Sequence, residues 1–150
     1  MKIGFAASSG GHFEQLLMLK ALMEKYESFI VTEKVSYASK LPTKAYYIKQ
    51  VNRKEPLFVF KMLINSVLSF GILCKEKPDV IISTGVLATI PICILAKLTK
   101  KKVIYIESFA KVTSPTETGK LMYKIADRFY VQWESMLEFY PEAKYVGGIY

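Results

Sequence analysis

The chain has 150 residues, enough for one domain with a substantial core. Hydrophobic residues make up 51% against 23% charged, which excludes a disordered chain. The formal charge of +8 and a pI near 9.4 favour anionic partners: nucleic acid, a phospholipid surface or a phosphorylated substrate.

Lys2 to Ala7 reads as a first strand. Met1-Lys2 leads directly into it, so no signal peptide is expected and a cytoplasmic chain is. His12 to Tyr26 follows as one predicted helix, with Phe13, Leu16, Leu17, Leu19, Leu22 and Met23 on its apolar side. Phe29 to Thr32 is a short β-branched strand, and Ala45 to Lys49 a weaker one. A long helix is expected from Pro56, well suited to a first turn, to about Lys75. Within it Leu57 to Leu73 is interrupted by Lys61, Asn65, Ser66 and Ser69 at near-helical spacing. A single polar stripe argues against a membrane span, which needs ~20 uninterrupted apolar residues. It predicts a mostly buried crossover helix, with a membrane-touching face as the alternative. Pro78 breaks the chain before the buried strand Val80 to Ser83. Ala88 to Leu98 is helical with Pro91 in its first turn, Val103 to Ile106 is a strand, Glu117 to Ala126 a helix, and Phe129 to Gln132 a strand. Tyr145 and Val146 close the sheet.

Strands separated by helices imply parallel pairing with right-handed crossovers, and nearly all-apolar strands imply two covered faces. The expected fold is α/β: a doubly wound, Rossmann-like parallel sheet spanning residues 1–150 as one domain. Cys74 and Cys93 both fall in apolar helical stretches and read as reduced core thiols. Neither has metal-ligand spacing, and one histidine cannot complete a usual zinc site, so no metal is expected.

Ligands of such a sheet sit beyond the carboxyl ends of its strands, where three segments converge. The first is Ser8-Ser9-Gly10-Gly11-His12, a glycine turn into a helix N-terminus. It is neither a dinucleotide fingerprint nor a Walker loop, and an ordinary strand–helix turn explains it equally well. His12, the only histidine, could act as a general base, donate to a diphosphate, or merely hold the loop. The second is Ser83-Thr84-Gly85, suited to a sugar or phosphate contact and equally to a helix cap formed by Thr84 or Thr89. The third is Tyr105-Ile106-Glu107-Ser108, whose carboxylate can bind sugar hydroxyls, serve as a base, or be a solvated loop acid. Lys97, Lys100, Lys101 and Lys102 read as a solvated loop with lipid headgroups as the alternative, and Asp127-Arg128 as a structural ion pair or helix end. Lys44, Lys49, Arg53 and Lys54 precede the apolar helix, which fits a membrane surface better than nucleic acid. No RNA-binding module or zinc finger is recognisable, so no nucleic-acid partner is expected.

Taken together these segments resemble one family. Ser-Ser-Gly-Gly-His, Ile82-Ser83-Thr84-Gly85 and Ile104-Tyr105-Ile106-Glu107-Ser108-Phe109-Ala110 occur in its order. So do Gly119-Lys120-Leu121, Ala126-Asp127-Arg128-Phe129, Val131-Gln132-Trp133, Tyr140-Pro141 and Tyr145-Val146-Gly147-Gly148. The chain resembles the acceptor-side subunit of split GT-B glycosyltransferases over nearly its whole length. In eukaryotes that subunit anchors the enzyme adding the second N-acetylglucosamine to dolichol diphosphate. Bacterial relatives serve capsule and exopolysaccharide synthesis beside a separate donor-side subunit.

The resemblance implies the N-terminal half of a GT-B fold, active only with a donor-side partner that holds the UDP-sugar. This chain would bind a polyprenyl-diphosphate-linked saccharide at the cytoplasmic face of the plasma membrane, as a peripheral protein on anionic lipid. Its diphosphate or reaction centre would face Ser9, Gly10, Gly11, His12, Ser83, Thr84, Gly85 and Ser108, with His12 or Glu107 as the base. The tail, residues 147–150, would dock on the partner through Gly148, Ile149 and Tyr150. No cofactor is expected, and the lack of an Asp-x-Asp motif agrees with metal independence. Eukaryotic members carry an N-terminal membrane helix, whereas this sequence starts at its first strand. Two other readings remain: a non-catalytic membrane adaptor, and a stand-alone Rossmann-type nucleotide-binding protein.

Overall fold

The structure is a computed structural model that describes residues 1–34 and 41–150. Seven parallel strands form one sheet in the order β3-β2-β1-β4-β5-β6-β7. They are β1 (Lys2–Ala7), β2 (Glu27–Glu33), β3 (Lys44–Ile48), β4 (Val80–Gly85), β5 (Lys102–Ile106), β6 (Arg128–Val131) and β7 (Lys144–Tyr145). The order reverses between β1 and β4, which opens a crevice at their carboxyl ends. Each predicted strand is found, within a few residues of its expected ends.

The connecting helices are α1 (Gly11–Leu17), α2 (Lys20–Lys25), α3 (Phe58–Glu76), α4 (Ile90–Leu98) and α5 (Glu117–Ile125). On one face α3, α4 and α5 bury Ile72, Leu73, Ile92, Ala96 and Met122 against Phe29, Ile81, Val103 and Phe129. On the other, α1 and α2 bury Phe13, Leu16 and Met23 against Ile3, Phe5 and Ile30. The chain leaves α3 through Lys77 in the left-handed region (φ 47°), and Pro78 prevents the helix from continuing.

Three expectations are corrected. The helix expected over His12–Tyr26 is two helices. At Met18 and Leu19 the bonds tighten to i→i+3 (Met18 N–H to Gln15 O, 3.2 Å; Leu19 N–H to Leu16 O, 3.0 Å), which re-aims α2. Cys93 is buried, and burial pushes its thiol up to about 12, but Cys74 is exposed on α3 and is not a core thiol. The lysine knot is not wholly a solvated loop: Lys97 (2.8 Å) and Lys102 (3.5 Å) pair with Asp127, which is, as expected, a structural ion-pair residue at a helix end.

The largest departure concerns α3, which is not a mostly buried crossover. Its polar residues face inward. Asn65 and Ser69 have no exposed surface, and Asn65 clasps both the N–H and the C=O of Lys49 at 2.8 Å. Val59, Phe60, Leu63, Val67 and Phe70 point outward, each more than half exposed. Their spacing draws one apolar stripe along the outer face. By length and composition alone α3 could cross a membrane, but its inner face is committed to the sheet and to α4.

Candidate functional site at the carboxyl end of the sheet

The loop after β1 is held from two sides. Ser8 donates its N–H to the Gly85 carbonyl (2.8 Å), and its hydroxyl accepts from Val86 N–H (3.3 Å). Ser9 gives both its N–H (2.9 Å) and its hydroxyl (2.6 Å) to Glu33 Oε2. Glu33, at the end of β2, is 4% exposed, and its other oxygen lies 3.4 Å from Val51 N. It was not a candidate in the sequence; a lone acid at a strand end gives no signal until pairing sets it beside the loop. Gly10 adopts φ +76° with open space around it, which only glycine accepts without strain.

His12 and Thr84 clasp each other across the crevice. Thr84 Oγ1 donates to the His12 carbonyl (2.7 Å), and His12 Nδ1 lies 2.9 Å from the Thr84 carbonyl. A carbonyl only accepts, so Nδ1 carries a proton, and in the neutral form of the ring the lone pair lies on Nε2. A general base needs such a lone pair, and here the ring is held by backbone at the switch point of the sheet. Gly85 follows with φ +95°, and a Cβ there would stand 2.8 Å from the Tyr105 hydroxyl and 3.6 Å from His12 Nδ1.

Other expected site residues are turned into the fold. Ser83 is fully buried: its hydroxyl accepts from Gly85 N–H (3.1 Å) and lies 3.2 Å from Thr89 Oγ1. Thr89, at the head of α4, donates to Val86 O (2.8 Å) and makes no side-chain cap. Glu107 is neither a solvated loop acid nor an open base, since it is 1% exposed. Its carboxylate accepts from Ser108 N–H (2.9 Å), the Thr116 hydroxyl (3.0 Å) and the Tyr140 hydroxyl (2.8 Å). Gly119 passes so close that an added Cβ would fall 1.8 Å from Glu107 Oε2. Burial, reinforced by the bond to Glu107, raises the Tyr140 hydroxyl far above the usual tyrosine range and keeps it a donor. Ser108 is 7% exposed and closes the turn by accepting Lys111 N–H (3.0 Å). Thr116, not Thr84 or Thr89, is a helix cap: it takes Gly119 N–H at 2.7 Å.

The tail folds back on this end of the domain. Gln132 donates to the Glu107 carbonyl (2.9 Å) and accepts from Ile149 N–H (3.1 Å). Phe109 lies 4.9 Å, centroid to centroid, from both Trp133 and Tyr150, and packs against Gly148. Ile149 closes an apolar cavity of about 260 Å³ that also holds Leu19, Leu22, Ile104 and Tyr130. Tyr150 stays largely exposed. Among the described residues no cluster of three His, Cys, Asp or Glu side chains could ligate a metal.

A family model described as "Oligosaccharide biosynthesis protein Alg14 like" matches residues 24–149. The chain is 29% identical to the human UDP-N-acetylglucosamine transferase subunit ALG14, aligned over 99% of this chain and 83% of that protein. To the Schizosaccharomyces pombe subunit it is 34% identical, over 93% and 79% respectively. In structure it resembles Acinetobacter baumannii MurG, with a TM-score of 0.73, 15% identity and 90% of this chain covered. It spans only 43% of that structure, as a domain equivalent to the N-terminal half of a GT-B enzyme does. The chain therefore belongs to the Alg14-like oligosaccharide biosynthesis family.

Proposed function

We propose that this chain is the acceptor-side subunit of a two-chain UDP-sugar transferase. Its partner holds the UDP-sugar, and its acceptor is a polyprenyl-diphosphate-linked saccharide of a capsular or exopolysaccharide type. The chain docks as a peripheral protein on an anionic cytoplasmic membrane surface. The observation that carries this reading is the inverted α3. An apolar stripe lies outward on the helix whose N-terminus sits at the same sheet end as His12, and exposed Lys49, Arg53, Lys54, Lys75 and Lys77 flank it. Such a face costs free energy in water and gains it in an acyl boundary with anionic headgroups.

His12 removes the proton from the acceptor hydroxyl through Nε2. Glu107 positions the loop beneath the acceptor, and no metal is required of this chain. The tail docks on the donor-side subunit through Gly148, Ile149 and Tyr150. Because Gln132 bonds both Ile149 and the Glu107 turn, docking also orders the acceptor loop.

The test is reconstitution with the donor-side chain on vesicles carrying a polyprenyl-diphosphate saccharide. Transfer is expected from the pair and from neither chain alone. Full activity of this chain alone would refute the split enzyme. The adaptor reading keeps one observation in its favour, the buried state of Glu107, and would be upheld if His12→Ala left transfer by the pair unchanged.

A further inference from the structure

The proposed acceptor site lacks a cationic side chain for its diphosphate. Ser9, Gly10, Gly11, Thr84, Gly85 and Ser108 are all neutral, and Ser9 and Thr84 already spend their hydroxyls on Glu33 and His12. A diphosphate carries two to three negative charges, and proteins recognise it by charge-assisted bonds. A second concavity at the same sheet end supplies that charge. It has a volume of about 450 Å³ and is built by the loops after β3, β4 and β5. Arg53 comes from the first, Val86 from the second, and Lys111 and Thr116 from the third. No salt bridge among the described residues engages Arg53 or Lys111. The one acid in the lining, Glu117, is paired with Lys120 at 2.6 Å.

One further feature bears on the ligand. A few residues beyond Arg53, the exposed Leu57, Val59 and Phe60 begin the apolar stripe of α3. Polar anchor and apolar track are thus contiguous, which suits an amphiphile with an anionic head.

The geometry points to Arg53 and Lys111 as the diphosphate clamp of the lipid-linked acceptor, with the isoprenoid chain leaving along α3 and the saccharide lying toward His12. This rests on the acceptor-side reading and adds to it a site that the glycine loop does not provide. Diphosphate could also come from a nucleotide or as the free ion, and the ligands of the test separate these sources.

The full chain is titrated calorimetrically with geranyl diphosphate, inorganic diphosphate and UDP, as wild type, Arg53→Gln, Lys111→Gln and the double variant. Geranyl diphosphate is expected to bind tightest, and each substitution to weaken it about tenfold, the loss of one charge-assisted contact. Both residues are at least partly exposed, so unchanged unfolding midpoints serve as the check on folding. In the reconstituted pair the acceptor KM should rise at least as much while the UDP-sugar KM stays put. Preference for UDP, or equal affinity for free and prenylated diphosphate, overturns the assignment. So does geranyl diphosphate binding that survives the double substitution, or no binding by the wild type. In those last two cases, continued transfer by the pair shows that the clamp has failed and the proposed function has not.

Discussion

At the residue scale, His12 and Glu107 look interchangeable in the sequence, since each is a titratable side chain at a strand's carboxyl end. Pairing separates them. His12 Nδ1 is fixed on the Thr84 carbonyl and leaves Nε2 free to take a proton, whereas every strong contact of the Glu107 carboxylate is already a donor within the fold. His12→Ala should lower kcat of the reconstituted pair about 10²- to 10³-fold with the unfolding midpoint unchanged, as loss of a general base does. Glu107→Gln replaces one accepting oxygen with an amide donor facing Thr116 or Tyr140. It should cost about 2–3 kcal/mol of stability and leave the pH dependence of the remaining activity unaltered. If Glu107→Gln instead removed a limb of the pH profile at full stability, the two roles would be reversed. The sequence could place both residues at the crevice but could not show direction. Whether a carboxylate faces solvent or protein depends here on Gly119, Thr116 and Tyr140, which lie between nine and thirty-three residues further along.

At the scale of the element, the strands were legible because each is a short apolar run bounded by glycine, proline or charge, and their parallel direction follows from alternation with helices, whereas their order came only with the structure. α3 was legible as a helix and misleading as an amphipathic one. The usual inference sends the polar stripe to solvent, yet Asn65 is needed inside to satisfy the backbone of Lys49, where the edge strand β3 ends and its ladder stops. That demand comes from the tertiary pairing and leaves no periodic mark. The inversion predicts opposite responses from two faces of one helix. Replacing Phe60, Leu63 and Val67 by serine should cut binding to vesicles containing anionic lipid more than tenfold, since each buried apolar side chain contributes on the order of 1.5 kcal/mol, with stability held within about 0.5 kcal/mol. Asn65→Leu should lower stability by about 2–3 kcal/mol by stranding a buried N–H and C=O. Vesicle sedimentation and urea denaturation read the two effects, and unchanged vesicle binding in the triple variant would rule out α3 as the membrane face.

At the scale of the whole molecule, the sheet's amino-terminal end is tied together by one carboxylate far from the candidate site. Glu76, in the last turn of α3, is 8% exposed; it bonds Lys2 of β1 (2.5 Å), Lys44 of β3 (2.8 Å) and the Tyr46 hydroxyl. It thereby joins the central strand, the edge strand and the helix that carries the outward apolar stripe. Burial alone would raise its carboxyl, but the bonds from Lys2, Lys44 and Tyr46 outweigh burial and hold it down at about 2, against an ordinary value of 4.5. A folded-state value below the unfolded one means the unfolded chain binds the proton first. The stabilisation is therefore fully present above pH 4.5 and is lost as the pH falls toward 2. Glu76→Gln should be less stable than wild type at pH 7 by about 1–3 kcal/mol, because the two lysines lose a charged acceptor. The gap should shrink steadily through that acid window and close near its lower end. Urea midpoints at pH 7, 4.5 and 3 suffice to see it; two parallel curves would show that the stability carried by Glu76 does not depend on its charge. Since the same residue ends α3, the acid range is also where the helix should first loosen from β3, so vesicle binding and folding would become coupled below pH 4.5 and independent above it.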